Sequence, residues 1–236
     1  FNGGYHDFLK NKDLLENDIN NLSQTENKIL MADARDSLKG VWGLAIGAFI
    51  VYFLVFCVVG LFPVIGTIAT YIIVGPMTVG GVRFTLAISR KGRPEIGQLF
   101  SGFDRFGTHL VAYLLQTIFV ALWTLLLIIP GIIAALSYSM TYFIIAEDSS
   151  ISASDAITKS KKMMKGNRWK LVCLGFRFIG WFLLAMLTFG VGFLWVGPYM
   201  YVSYAKFYDD LKTAEDQGLT YLIMVPAMYN LCIERG

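Results

Sequence analysis

The stretch VWGLAIGAFIVYFLVFCVVGLF, residues 41–62, decides the fold. It holds no charged residue and meets the roughly 20 apolar residues that a helix needs to cross a bilayer. Reading outward, the turn Pro63-Val64-Ile65-Gly66 leads into a second uncharged run that continues to Val82, before Arg83, Arg90, Lys91 and Arg93. A third run breaks at Pro130-Gly131, and a fourth continues to Ala146 before Glu147-Asp148. The fifth begins at Trp169 and turns at Gly190-Val191-Gly192; the sixth ends near Lys206. Backbone polar groups in hydrocarbon must bond within their own segment, so runs this long predict helices, not strands. The expected fold is an all-α polytopic membrane bundle of about six transmembrane helices arranged as three hairpins. The spans are expected at about 41–62, 65–88, 107–129, 131–146, 169–188 and 192–207, within a membrane domain of residues 39–207. Residues 1–38 form an N-terminal extension and 208–236 a C-terminal tail.

Composition agrees. The chain of 236 residues is 56% hydrophobic and 16% charged, where a soluble domain carries about 25% charged residues. The formal charge of +3 points away from nucleic acid, but its distribution sets a topology. Lys159, Lys161, Lys162, Lys165, Arg168 and Lys170 fall between the fourth and fifth runs with no acid among them. Such stretches stay on the cytoplasmic side, and the loop with Arg90, Lys91 and Arg93 lies two crossings earlier, on the same side. Both termini are therefore expected in the cytoplasm, with the chain in a bacterial cytoplasmic membrane. Cys57, Cys173 and Cys232 have no metal-ligand spacing and are expected to be free, buried thiols. Residues 1–30 do not read as a signal peptide.

A weak repeat of about 60 residues supports the same layout. Glycines at 40, 102 and 166 each precede a spanning run, and Val-Gly-Pro recurs at 74–76 and 196–198, with Ser137 near the matching point of the middle unit. Each unit reads as an amphipathic helix followed by a membrane hairpin. Ile96, Leu99, Phe100, Phe103 and Phe106 predict one interfacial helix, and Ala153, Ala156, Ile157, Met163 and Met164 another. The basic residues from Lys159 to Lys170 suit anionic lipid headgroups, at about 1 kcal/mol each. The stretch 13–38 also reads as helical, with Leu14, Leu15, Ile19 and Leu22 available for contacts.

IPGI at 129–132, YFIIAED at 142–148, KSKKMMKGNRWKL at 159–171, FIGW at 178–181 and VGPYMYVSYAKFYDDL at 196–211 resemble a family of bacterial integral membrane proteins known only as a domain of unknown function. The resemblance spans about residues 31–212. It implies a multi-pass protein of the cytoplasmic membrane and supplies no activity, cofactor or catalytic residue. The segments before Met31 and after Lys212 extend beyond it, which marks a specialised member with its own partner.

Few positions carry functional chemistry. Arg177 is the only charge between Lys170 and Lys206, about 12 Å along the helix from Trp169, and either faces a polar interior or snorkels to the headgroups. His109 and Gln116 share a helix face and suit bonds across helices, although His109 also suits a merely interfacial place. Gly75-Pro76 and Gly197-Pro198 are expected helix breaks, of the kind that line transporter sites or simply kink for packing. Gly43 and Gly47 form one small-residue pair suited to close helix approach. No Ser, His and acid set, metal cluster or phosphate loop is visible, and none of the six runs contains Asp or Glu, so no enzyme, cofactor or coupled pump is expected. The leading expectation is a non-catalytic membrane subunit or scaffold that docks other membrane subunits through its terminal extensions. The alternative is a permease-like or lipid- or peptide-handling transporter built on Pro76, Pro198 and Arg177. The apolar tail 219–233, too short to span and interrupted by Pro226, is expected on the membrane surface or in a partner's groove.

Overall fold

The computed structural model describes Ser23 and residues 25–234, with side chains as far as Asp216. Leu14, Leu15, Ile19 and Leu22 lie outside the described residues, as do the side chains of the 219–233 tail. The described chain is all-helical. Helix α1 (Asn27–Leu38) is followed by α2 (Trp42–Gly60) and α3 (Ile65–Ser89), and a 3-10 helix (Ile96–Arg105) leads into α4 (Phe106–Leu126). Helices α5 (Ile128–Tyr138), α6 (Thr141–Glu147) and α7 (Ala153–Met163) come next. Then follow α8 (Arg168–Arg177), α9 (Ile179–Leu187) and α10 (Phe193–Glu234). Five stretches are long and apolar enough to cross a membrane: Trp42–Gly60, Ile65–Ser89, Ile96–Leu126, Ile128–Glu147 and Arg168–Leu187. Large apolar side chains stand exposed along and between these stretches. Leu125, Leu187 and Phe189 are 87%, 78% and 101% exposed, an arrangement that water would oppose.

Close backbone approaches explain the small residues at the turns. A Cβ on Gly66 would collide with the Val59 carbonyl, one on Gly131 with Thr124, and one on Gly192 would come within 2.7 Å of Ala185 Cα. In each case the glycine stands seven positions after the residue it touches, although the turn backbones differ: Leu127 is extended between α4 and α5, whereas Phe189 and Gly190 have positive φ between α9 and α10. Gly40 and Gly166 share one geometry: both have φ +83°, each follows a lysine at the end of a short helix, and both lead into a helix with a tryptophan in its first turn. Left-handed backbone of this kind favours glycine, which ends a helix at no steric cost. The repeat read from the sequence is thus present as repeated backbone geometry in its first and third units.

Helix α7 forms for the reasons its sequence gives. Ser152 Oγ accepts from Asp155 N at 3.2 Å as N-cap, Asp155 occupies the positive first turn, and Lys161 and Lys162 the negative last turn. Ala153, Ala156, Ile157 and Met163 are buried on one face, with Met164 just beyond the helix end.

Four local expectations are corrected. The amphipathic segment after Pro94 is a 3-10 helix, because it runs against α3 at contact so close that Gly80 meets the Leu99 carbonyl and Gly102 the Pro76 carbonyl. Its three-residue repeat splits the expected apolar stripe. Leu99 and Gly102 point inward, whereas Phe100, Phe103 and Phe106 point outward, the last two stacked with ring centroids 6.4 Å apart. The break expected at Pro130-Gly131 falls instead at Leu127, in extended backbone. A proline ring at 130 conflicts with helix at the residue four before it, so α4 ends at Leu126 and Pro130 sits in the first turn of α5, where its missing N–H costs nothing. The fourth run is interrupted between Tyr138 and Thr141, where buried Ser160 repairs the backbone: its Oγ donates to the Ser137 carbonyl at 2.9 Å and accepts from Met140 N at 3.2 Å. Finally, Cys57 is exposed on the apolar surface and Cys173 half-buried, so neither is the buried thiol expected.

Helix α10 continues past the expected end of the sixth run at 207 and reaches Glu234. Its aromatic face locks the core. Phe207 and Tyr208 are fully enclosed, and Tyr208 stacks on Phe143 of α6 with centroids 5.2 Å apart.

Candidate functional site

The densest polar structure lies where α3, α6 and α10 end or pass together. Arg90 caps α3, a position where a cation complements the helix dipole. Its Nη2 and Nε donate to Asp209 Oδ1 at 2.7 and 3.0 Å, and Nη2 also lies 2.9 Å from Glu147 Oε1. Lys212 Nζ reaches the same Glu147 oxygen at 2.8 Å, and Tyr208 Oη donates to Glu147 Oε2 at 2.8 Å. Ser89 Oγ donates to Asp209 Oδ2 at 2.7 Å, and Lys206 Nζ donates to the Ser89 carbonyl. Two acids and two bases, Arg90, Glu147, Asp209 and Lys212, thus balance in charge and tie three helices that are distant in sequence. Burial works against the Arg90 charge, but Asp209 and Glu147 more than offset it and hold the guanidinium above its ordinary value.

A second knot fixes the N-terminal side. Asp210 accepts from the hydroxyls of Ser23 and Thr25 and lies 3.6 Å from Lys170 Nζ. Lys170 Nζ donates to the Ser23 carbonyl at 2.9 Å, Ser23 N to Asn167 Oδ1 at 2.9 Å, and Asn27 Nδ2 to the Lys170 carbonyl at 3.0 Å. Arg83, on α3, forms a third link: its Nη1 and Nε donate to the carbonyls of Ser101 and Ala146 at 2.8 and 3.3 Å.

An apolar cavity of about 130 Å³ lies beside these knots, between α2, α3 and α10. Ala48, Phe49, Tyr52, Gly81, Pro198 and Tyr201 are among its walls.

The residues singled out from sequence are not gathered in one place. Arg177 ends α8 on the exposed surface beside exposed Phe176 and Ile179, outside the bundle interior. His109 is fully buried; its Nδ1 bonds the Gly102 carbonyl, and its Nε2 has no partner among the described residues. Gln116 is half-buried, with Oε1 unpaired among the described residues. The prolines do not break their helices: α3 runs through Pro76 and α10 through Pro198. Gly75 packs on the His109 backbone, with a would-be Cβ 2.7 Å from its carbonyl oxygen, and Gly197 packs on the Phe49 ring. Gly43 and Gly47 have open space where a Cβ would stand, with no helix against them among the described residues. Of the basic stretch, Lys159, Lys161, Lys162 and Lys165 are exposed, whereas Arg168 and Lys170 are half-buried and Lys170 is committed to Asp210.

Sequence reading missed the Arg90, Glu147, Asp209 and Lys212 knot. Glu147 and Asp209 stood in the quoted YFIIAED and VGPYMYVSYAKFYDDL motifs, as the first acids after charge-free runs, which is the signal that pointed to them.

The family described as Protein of unknown function (DUF975) matches residues 25–137 and 124–215. The chain belongs to this family. The match takes in every member of the knot, Gly40 and Gly166, and all the cavity walls, and it stops short of the last part of α10. No curated protein and no solved structure matches the chain.

Proposed function

We propose that this chain is a non-catalytic subunit or scaffold of a bacterial cytoplasmic membrane complex, with six spans in three hairpins and α10 as the element that engages a partner. The single observation that supports it is the length of α10. Its 42 residues make a helix of about 63 Å, roughly twice the 30 Å of hydrocarbon that a span crosses. The excess continues from the locked end of the bundle and carries the apolar sequence LTYLIMVPAMYNLCI, outside the family match. The close-packed glycine that recurs seven positions after its contact, at Gly66, Gly131 and Gly192, supports three equivalent hairpins. The sixth span is then the first part of α10, about residues 192–207, with the helix continuing without a break beyond it. Basic residues at the knot end support a cytoplasmic side for both termini.

The experiment is purification in mild detergent of the full chain and of the chain ending at Asp216, with bound proteins quantified by mass spectrometry. The reading expects a membrane protein at fixed stoichiometry on the full chain and its loss from the shortened one. Recovery of a monodisperse, partner-free full chain overturns it.

A further inference from the structure

Neither the knots nor the length of α10 gives a role to Arg177. It stands nine residues after Arg168 and ten before Leu187, in the middle of the apolar stretch Arg168–Leu187. At 1.5 Å per residue it lies about 13.5 Å along the helix from Arg168, close to half of a hydrocarbon core of about 30 Å. Exposed Trp169 suits the boundary itself, where tryptophan is favoured. A helical side chain leans over the turn before its own Cα, so snorkelling raises the guanidinium by about one turn, roughly 5.4 Å, and leaves it about 8 Å short of Arg168. Lipid phosphates stand farther out still. The bundle supplies no counter-ion either. Among the described residues no ion pair joins Arg177, and no Asp or Glu occurs between Lys170 and Asp209. An unpaired charge at this depth is costly, and charges inside membranes are found with a partner.

The surface beside Arg177 suits a helix. Trp169, Phe176, Gly180, Leu183 and Leu187 follow one another at intervals of seven, four, three and four, the spacing of one helix face, and all are exposed. The opposite face, with Leu174 and Phe178 fully enclosed, packs into the bundle. Gly180, one turn after Arg177, has nothing within 4 Å of a would-be Cβ, so a second helix can approach closely there. A second copy of this chain cannot bring the missing counter-charge, because none of its six apolar runs contains Asp or Glu. The occupant that fits is a helix of another protein, apolar along its length, with one carboxylate near its middle.

We propose that the exposed face of α8 and α9 binds a transmembrane helix of a partner protein, whose mid-membrane Asp or Glu pairs with Arg177. This rests on Arg168–Leu187 crossing the bilayer, as in the proposed function, and not on the α10 contact. The full chain is reconstituted in phosphatidylcholine vesicles with a polyleucine helix of about 20 residues that carries either one central Asp or leucine throughout. Vesicle flotation reports insertion of the chain, and energy transfer between labelled chain and labelled helix reports association. The wild type binds the Asp helix at least tenfold more tightly than the all-leucine helix. Arg177→Leu brings the Asp helix down to the all-leucine level, and Arg177→Lys, which keeps the charge, retains part of the preference. Lys161→Leu, which removes an exposed cation outside the stretch, leaves the preference whole, and Gly180→Leu, which fills the open approach, weakens the Asp helix at least threefold. In cells, a photoreactive phenylalanine at Leu183 forms an adduct with a protein that carries Asp or Glu within an apolar run, and Arg177→Leu lowers its yield at least fivefold. A chain that does not float overturns the membrane reading itself. A floating chain that binds both helices equally, an Asp preference undiminished in Arg177→Leu, or adducts confined to lipid overturns this proposal alone.

Discussion

Cutting the link between Tyr208 and Glu147 tests whether the knot of α3, α6 and α10 holds the bundle together. The Tyr208 ring is 2% exposed, and its hydroxyl donates at 2.8 Å to a carboxylate that also receives Arg90 and Lys212. A hydrogen bond to a charged group contributes about 1.5–3 kcal/mol, and a buried donor stripped of its acceptor costs about 1–3 kcal/mol. The two cations are 43% and 40% exposed, so each ion pair adds at most about 1 kcal/mol. Glu147→Ala is therefore expected to lose about 2–4 kcal/mol, because Arg90 keeps Asp209 while Tyr208 is stranded. Tyr208→Phe removes donor and demand together and should cost about 1–2 kcal/mol, leaving the carboxylate its two cations. The pair should couple by about 1–2 kcal/mol in a double-mutant cycle. Reversible unfolding in mixed micelles with increasing SDS, followed by tryptophan fluorescence, gives all four stabilities. A coupling below about 0.5 kcal/mol, or a Glu147→Ala loss no larger than that of Tyr208→Phe, would refute the reasoning.

The same unfolding assay checks two further expectations. Gly40→Ala and Gly166→Ala should each cost about 1–2 kcal/mol, because φ +83° is strained for alanine while space around each Cβ is open; Gly102→Ala, whose Cβ would collide with the Pro76 carbonyl, should cost about 3 kcal/mol or prevent folding. Ser160→Ala should cost about 2 kcal/mol, since it strands Met140 N at the interruption between α5 and α6, and Ser160→Thr should restore part of the loss.

Much of this architecture is legible in the sequence because a simple rule covers it: long charge-free runs become helices, and the rule does not depend on the partner of each residue. Residues 41–62 and the stripe on 153–163 needed nothing else. Local backbone details follow less directly. Pro130 displaces the break to Leu127 through a clash with its own preceding turn, and the 3-10 geometry of 96–105 is forced by Gly80 and Gly102, whose contacts lie on other segments. The knot was not legible because its members stand 119 residues apart in the case of Arg90 and Asp209, and sequence spacing carries no sign of which acid meets which base. The candidate residues fared unevenly for a related reason. Arg177 stands inside the apolar stretch Arg168–Leu187, and its place at the end of α8 turns it to the outer surface and not to the bundle interior. His109 is enclosed by Gly75 and Gly102, whose contacts come from other elements and are not legible from its position.

Cysteine accessibility tests the central claim, that apolar runs alternate across a bilayer with their basic flanks on one face. Cys57, Cys173 and Cys232 are first replaced by serine, and single cysteines are then placed at Arg93, Lys162, Val64 and Phe189. In intact cells a membrane-impermeant maleimide should label V64C and F189C, and should reach R93C and K162C only after permeabilisation. Labelling of R93C and K162C from opposite sides, or of all four from the same side, would contradict the account.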